Sequence, residues 1–159
     1  MALLVCATGA VLAAPPPLET HATESTSIAL PRNWKVTATS TDATVFIARQ
    51  RIGSAAMIVS VQLTGNTSTE DQLLDRVARH ITKDLRIAKR TAMTGGGHML
   101  LGDGMAGTTA VRVGAIAVAT GTAAVFGVLI AKPAEFESLG GIALVVEVLA
   151  SVQSTKHVQ

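Results

Sequence analysis

The segment Val113–Ala131, VGAIAVATGTAAVFGVLIA, contains no charged residue. As one helix it would be long enough to cross a bilayer. As two strands folded back on each other it would be the core hairpin of a small globular domain. Thr120-Gly121-Thr122 falls at its midpoint, where a hairpin needs its turn. Thr108–Ala119 and Ala123–Ala131 on either side carry the β-branched residues that suit strands. The membrane reading needs a second span through Ile142–Val152, which would place Glu147 near the centre of the bilayer. The globular hairpin is therefore preferred, with a transmembrane hairpin over 113–152 as the alternative.

Upstream, short extended segments separated by turn residues follow one another. Ser27–Leu30 ends at Pro31, and Lys35–Thr39 is closed by Thr41-Asp42. In Thr44–Gln50, Val45 and Ile47 share a face. In Ala56–Leu63, Met57, Val59, Val61 and Leu63 alternate with Ile58, Ser60 and Gln62. A helix is expected over Thr69–Arg86, opened by a Thr69-x-x-Gln72 capping box. Leu73, Leu74, Val77, Ala78, Ile81 and Leu85 give it an apolar stripe. Ile87–Met93 and His98–Leu101 read as strands. Pro133 begins a C-terminal helix in which Phe136, Leu139, Ala143, Val146 and Ala150 share a face and Gly140-Gly141 weakens the middle.

The chain of 159 residues is 48% apolar, enough for the core of one domain. Its aromatic residues are Trp34, Phe46, Phe126 and Phe136, too few and too scattered for the stacking platform of a single-stranded nucleic-acid binder. The net charge of +2 gives no general field for polyanions, so nucleic acid is not an expected partner.

Residues 1–13 resemble an export signal: Leu3–Leu12 is apolar or small, and Val11-Leu12-Ala13 suits cleavage after Ala13. No Lys or Arg precedes the apolar run, which departs from the usual pattern. Export to a periplasmic or extracellular space is expected, with a flexible linker over 14–26, a domain over 27–153 and a tail over 154–159. Cys6, the only cysteine, lies inside the signal, which leaves the mature chain without thiol chemistry.

Taken in order, these residues resemble the superfamily that includes the PsbP extrinsic protein of photosystem II, the DcrB-like bacterial envelope proteins and a Ran-binding eukaryotic relative. The resemblance runs through a short strand into proline and tryptophan (Ile28-Ala29-Leu30-Pro31-Arg32-Asn33-Trp34) and then a mid-chain helix. Paired strands around a glycine-rich turn follow, and the end is a helix with Phe136 and Leu149-Ala150-Ser151. The family often has glycine immediately before the tryptophan, where this chain has Asn33. The resemblance implies an α+β fold, an antiparallel β-sheet with helices packed on it as an α/β/α sandwich. It implies no shared active site, and members that mostly bind or scaffold other proteins.

The chemical motifs are sparse. Gly102–Gly107 matches G-x-G-x-x-G, but a strand rather than a helix is expected after it and no acid follows before Glu135, so a tight turn is expected in place of a nucleotide loop. Gly95-Gly96-Gly97 reads as a flexible link. His21, His80, His98 and His157 show no metal-ligand spacing, and neither a metal nor a cofactor is expected. His98, near Asp103, is the histidine to test for catalysis. Glu70-Asp71 and Glu135/Glu137 suit helix starts. Trp34 is expected to plug the core, and Asn66-Thr67-Ser68 fits a glycosylation sequon.

The basic residues Arg76, Arg79, Lys83, Arg86 and Arg90, with Lys89 beside them, fall on one face of the expected helix and its continuation, partly neutralised by Asp75 and Asp84. They are the candidate contact with an acidic protein partner or anionic envelope surface. The functional expectation is an exported, non-enzymatic binding domain, ahead of a membrane protein and of an enzyme.

Overall fold

A computed structural model describes residues 15–62, 69–80, 82–119 and 123–155 (for 78–80, the backbone only). The elements are β1 (Leu18–Ala22), β2 (Thr26–Pro31), β3 (Lys35–Ser40), β4 (Thr44–Arg49), β5 (Ala56–Gln62), α1 (Glu70–His80), β6 (Lys83–Ala92), β7 (His98–Ala106), β8 (Thr109–Ala119), β9 (Ala124–Ala131), α2 (Pro133–Ser138), α3 (Ile142–Ala150) and β10 (Gln153–Ser154). β3-β4-β5-β9-β8-β7-β6 form a seven-stranded sheet and β1-β2-β10 a small second one. All pairings are antiparallel.

The uncharged segment is two strands at the centre of the large sheet. β8 and β9 pair from Arg112↔Ala131 to Ala119↔Ala124; Thr120-Gly121-Thr122 lies outside the described residues. This pairing overturns the helical membrane hairpin over 113–152. Among the described residues no helix is long and apolar enough to cross a membrane.

From Val113 on, the central strands are covered on both faces, which is why that stretch carries no charge. On one face Leu73, Leu74 and Val77 of α1 cover Leu100, Val111, Val113, Ala115, Ala117, Phe126 and Val128. On the other, Phe136, Leu144, Val145 and Val148, with Ile28, Leu30 and Trp34, cover Phe46, Met57, Val59, Val61, Ile116 and Leu129. The result is an α+β fold in three layers, α/β/α. Trp34 plugs the core as expected. Glycine sets the spacing: a Cβ on Gly114 would lie 2.7 Å from Phe136 Cζ and 2.8 Å from Ile142 Cδ1, and one on Gly127 2.9 Å from Leu149 Cδ2. Ser151 ends α3 by accepting the Ala29 N–H at 2.8 Å and donating to Val148 O at 2.6 Å, which ties the C-terminal helix to β2.

Several expectations need correction. The expected helix to Arg86 stops at His80, and Lys83–Ala92 is an edge strand. Asp84 takes a left-handed φ of 52°, which a helix cannot accommodate, and Leu85 and Ile87 also fit the two-residue strand period. Of the tight turn expected over Gly102–Gly107, only Gly107 falls in the turn between β7 and β8, and Gly102-Asp103-Gly104 lies within β7; the absent side chain at Gly102 admits β6, since a Cβ there would stand 2.7 Å from Arg86 O. The ladder between β6 and β7 shifts register twice nearby. The C-terminal helix divides at Gly140-Gly141, so Phe136, Leu144, Val145 and Val148 are buried while Ala143, Val146 and Ala150 are exposed. In β4, Val45 and Ile47 do share a face, the half-buried one, and Thr44, Phe46 and Ala48 form the buried face.

The chain ends are also more engaged than expected. Leu18–Ala22, placed in the linker by composition, pairs with β2 as β1. Ser154 pairs with Thr26, and Thr155 N–H donates to Ser25 O at 3.0 Å, so the expected tail begins inside the fold. The expected signal segment 1–13 with Cys6, and the sequon Asn66-Thr67-Ser68, lie outside the described residues.

The capping box forms as expected: Thr69 N–H donates to Gln72 Oε1 at 3.0 Å and Gln72 N–H to Thr69 Oγ1 at 3.3 Å. Asn33 has φ 67°, the left-handed region glycine enters most easily and asparagine next. That conformation explains why asparagine can stand where the proteins it resembles often have glycine.

Gly114→Val should lower the unfolding free energy by about 1–3 kcal/mol through overpacking against Phe136 and Ile142. Asn33→Gly should leave it within roughly 0.5 kcal/mol of the wild type. Chemical denaturation of the two variants checks both values.

Candidate binding surfaces

Edge strand β6 divides the expected basic stripe between two faces of the sheet. Residues directly paired across an antiparallel ladder share a face. Arg90 pairs with Leu100 and so lies on the α1 side. Lys83, Arg86 and Lys89 pair with Met105, Asp103 and Leu101, all on the opposite side. Arg76 is exposed on α1, and the side chain of Arg79 lies outside the described residues. The structure therefore groups Lys83 and Arg86 with Lys89, apart from Arg76 and Arg90.

The two groups differ in electrostatics. Arg90 donates to Asp71 Oδ1 at 2.7 Å and Asp75 Oδ1 at 3.2 Å, which fastens α1 to the sheet edge. The hydrogen bond to Asp71, then that to Asp75, raises its pKa further above the ordinary guanidinium value. Arg112 is held in the same way between Asp103 of β7 at 2.9 Å and Glu137 of α2 at 2.8 Å, with its pKa raised by Asp103 first. Lys83, Arg86 and Lys89 are exposed, and none has an ion-pair partner among the described residues.

His98, at the start of β7, has its Nδ1 against Glu70 Oε2, while Glu70 Oε1 accepts the Ala119 N–H at 3.4 Å. The pair sits where α1 begins, so Glu70 both complements the helix dipole and anchors the end of β8. It does not meet Asp103, the neighbour expected from the sequence, whose partner is Arg112.

One concave feature was not visible in the sequence. A cleft of about 400 Å³ opens between the β1–β2 turn, the β3–β4 turn and β10, lined by Glu24, Ser25, Thr26, Ser40, Thr41, Asp42, Thr44 and Ser154 among others. Its hydroxyls are mutually bonded, Ser25 to Thr44 and Ser40 to Thr44, each at 3.3 Å. The lining comes from separate parts of the chain, so no local motif could reveal it. Neither His98 nor Glu70 lines it. Among the described residues no group of three or more His, Cys, Asp or Glu side chains could hold a metal ion.

This three-layer sandwich, with its split C-terminal helix seated against β2 and its buried tryptophan, is a PsbP-like α+β fold. It is similar to cyanobacterial PsbP (CyanoP) from Synechocystis sp. PCC 6803, with TM-score 0.55 and 13% identity, covering 94% of this chain and 98% of that one. It is also similar to LpqN of Mycobacterium tuberculosis, involved in cell envelope biogenesis, with TM-score 0.53 and 13% identity over 88% of this chain and 91% of that one. A structure from Bacteroides thetaiotaomicron aligns over 84% of this chain, which spans only 46% of that one, at TM-score 0.48 and 15% identity. The sequence matches no protein-family model and no curated protein.

Arg90→Ala should lower the unfolding free energy by about 0.5–1 kcal/mol at low ionic strength and by less in high salt. Lys83→Ala, Arg86→Ala and Lys89→Ala should each stay within roughly 0.5 kcal/mol of the wild type. Urea titrations at two salt concentrations separate the structural cation from the displayed ones.

Proposed function

We propose that this chain is an exported, non-enzymatic domain that binds an acidic surface of a partner or of the envelope through the basic edge strand β6. One observation carries the reading. Where arginine serves the fold, at Arg90 and Arg112, it is matched with two carboxylates. Lys83, Arg86 and Lys89 share one face of the edge and have no such match among the described residues. Displayed cations of this kind give orientation and association rate to a contact with an acidic surface.

Export is supported by the apolar segment before Ala13-Ala14. The envelope role stated for LpqN agrees with that placement. A non-enzymatic role is supported by the separation of the chemistry: the His98–Glu70 pair and the hydroxyl-lined cleft share no residue.

The triple variant Lys83→Glu/Arg86→Glu/Lys89→Glu, used as bait on an envelope extract, should lose the partner that the wild-type chain retains at low salt, with an unchanged thermal midpoint. Equal retention by both baits would overturn the β6 assignment. A turnover abolished by His98→Ala would overturn the non-enzymatic one.

A further inference from the structure

The loop between β4 and β5 displays an apolar side chain that the fold makes no use of. Ile52 is 90% exposed, twice the exposure of Ile87 at 45%, the next large apolar residue. The loop is pinned at several points. Gln50 N–H donates to Ala55 O at 2.9 Å, and Arg51 Nε donates to Asn33 O at 3.0 Å. Ser54 N–H donates to Glu135 Oε2 at 3.2 Å, and Lys132 N–H donates to Ser54 Oγ at 3.3 Å. At Gly53, φ is 128° and a Cβ would fall 2.2 Å from Gln50 Oε1, so the bend beside Ile52 is built around glycine. The tip is thus held out by its anchors.

The surroundings of the tip are basic. Arg32, Lys35, Arg49, Arg51 and Lys132 all lie at this end of the sheet, all exposed. None has an ion-pair partner among the described residues. Lys35 and Arg49 are paired across the β3–β4 ladder, where like charges repel, and no carboxylate separates them. The carboxylate in contact with the loop, Glu135, is engaged by Ser54.

We propose that this end of the domain docks on an anionic lipid surface, with Ile52 entering below the headgroups and the five cations resting on them. A single apolar wedge ringed by cations suits such a surface. Apolar insertion and headgroup attraction act together, and neither alone holds a protein on a membrane. A folded acidic partner would instead need a pocket for Ile52. The contact is independent of the β6 surface, because the loop lies on the opposite half of the sheet.

The full chain is co-sedimented with phosphatidylcholine vesicles that contain or lack phosphatidylglycerol. Wild type should bind the anionic vesicles only. Ile52→Ser should weaken that binding about tenfold or more, and Arg49→Glu/Arg51→Glu should abolish it, with thermal midpoints unchanged. In Ile52→Trp, the emission of the introduced indole should shift to the blue on anionic vesicles and stay unshifted with neutral ones. Undiminished binding of Ile52→Ser, or equal binding to neutral vesicles, would overturn the proposal. Tight binding to soluble dextran sulfate that ignores Ile52 would assign the cations to an acidic polymer instead, and would overturn it too.

Discussion

The structure depends on the pairing of β8 with β9 in the middle of a sheet covered on both sides. Beyond Arg112, which reaches Asp103 and Glu137 at the outer end of β8, a charged side chain on either strand would be stranded between layers, without water or a partner, at a cost the fold could not recover. The absence of charge from Val113 to Ala131 is therefore a consequence of position. The same physics makes the segment ambiguous when read alone, because lipid and two covering layers impose the same demand for apolar residues. The glycines are informative here. Gly114 and Gly127 are not loosened helix positions; they are where α2 and α3 approach the sheet too closely for a β-carbon.

Elements that carry their own signal were legible from the residues. β5 alternates buried and half-buried residues along its length, and the start of α1 is written in the reciprocal bonds of Thr69 and Gln72. The C-terminal helix begins at its proline, as the fixed φ of that residue favours. The resemblance to PsbP-like proteins ordered these pieces into the right architecture. It also left a local puzzle at Asn33, which the left-handed backbone there resolves.

The misread elements are those whose state is decided by a distant partner. Lys83–Arg86 continues the helical stripe through Leu85 and equally fits the strand period of Leu85 and Ile87; pairing with β7 decides in favour of the strand that Ile87–Met93 already suggested. Leu18–Ala22 lacks a hydrophobic run but finds β2 beside it. The candidate site suffered for the same reason. Wound as a helix, Arg76 to Arg90 make one stripe, whereas a break after His80 sends Lys83, Arg86 and Lys89 to one side of the sheet and Arg90 to the other. The basic end around Ile52 was not legible as a cluster, since Arg32, Arg49 and Lys132 come from separate parts of the chain and are brought to one end by the ladder of β3, β4, β5 and β9.

Cations on an edge strand have an ordinary explanation, because charge and irregular register keep a free edge from pairing with another chain. β6 has both devices, with its lysines and its two register shifts. Edge protection alone, however, requires no sidedness, as a charge projecting from either face obstructs an incoming strand. At β6 the face beside α1 holds Arg90 in a carboxylate clamp, and the opposite face concentrates Lys83, Arg86 and Lys89. The other edge makes the comparison sharper: β3 has Lys35 at its start and is otherwise Val, Thr, Ala and Ser, with no register shift against β4. A chain that leaves one edge so lightly guarded does not need three one-sided cations for protection at the other. Their sidedness is the ground on which a contact at that face is proposed.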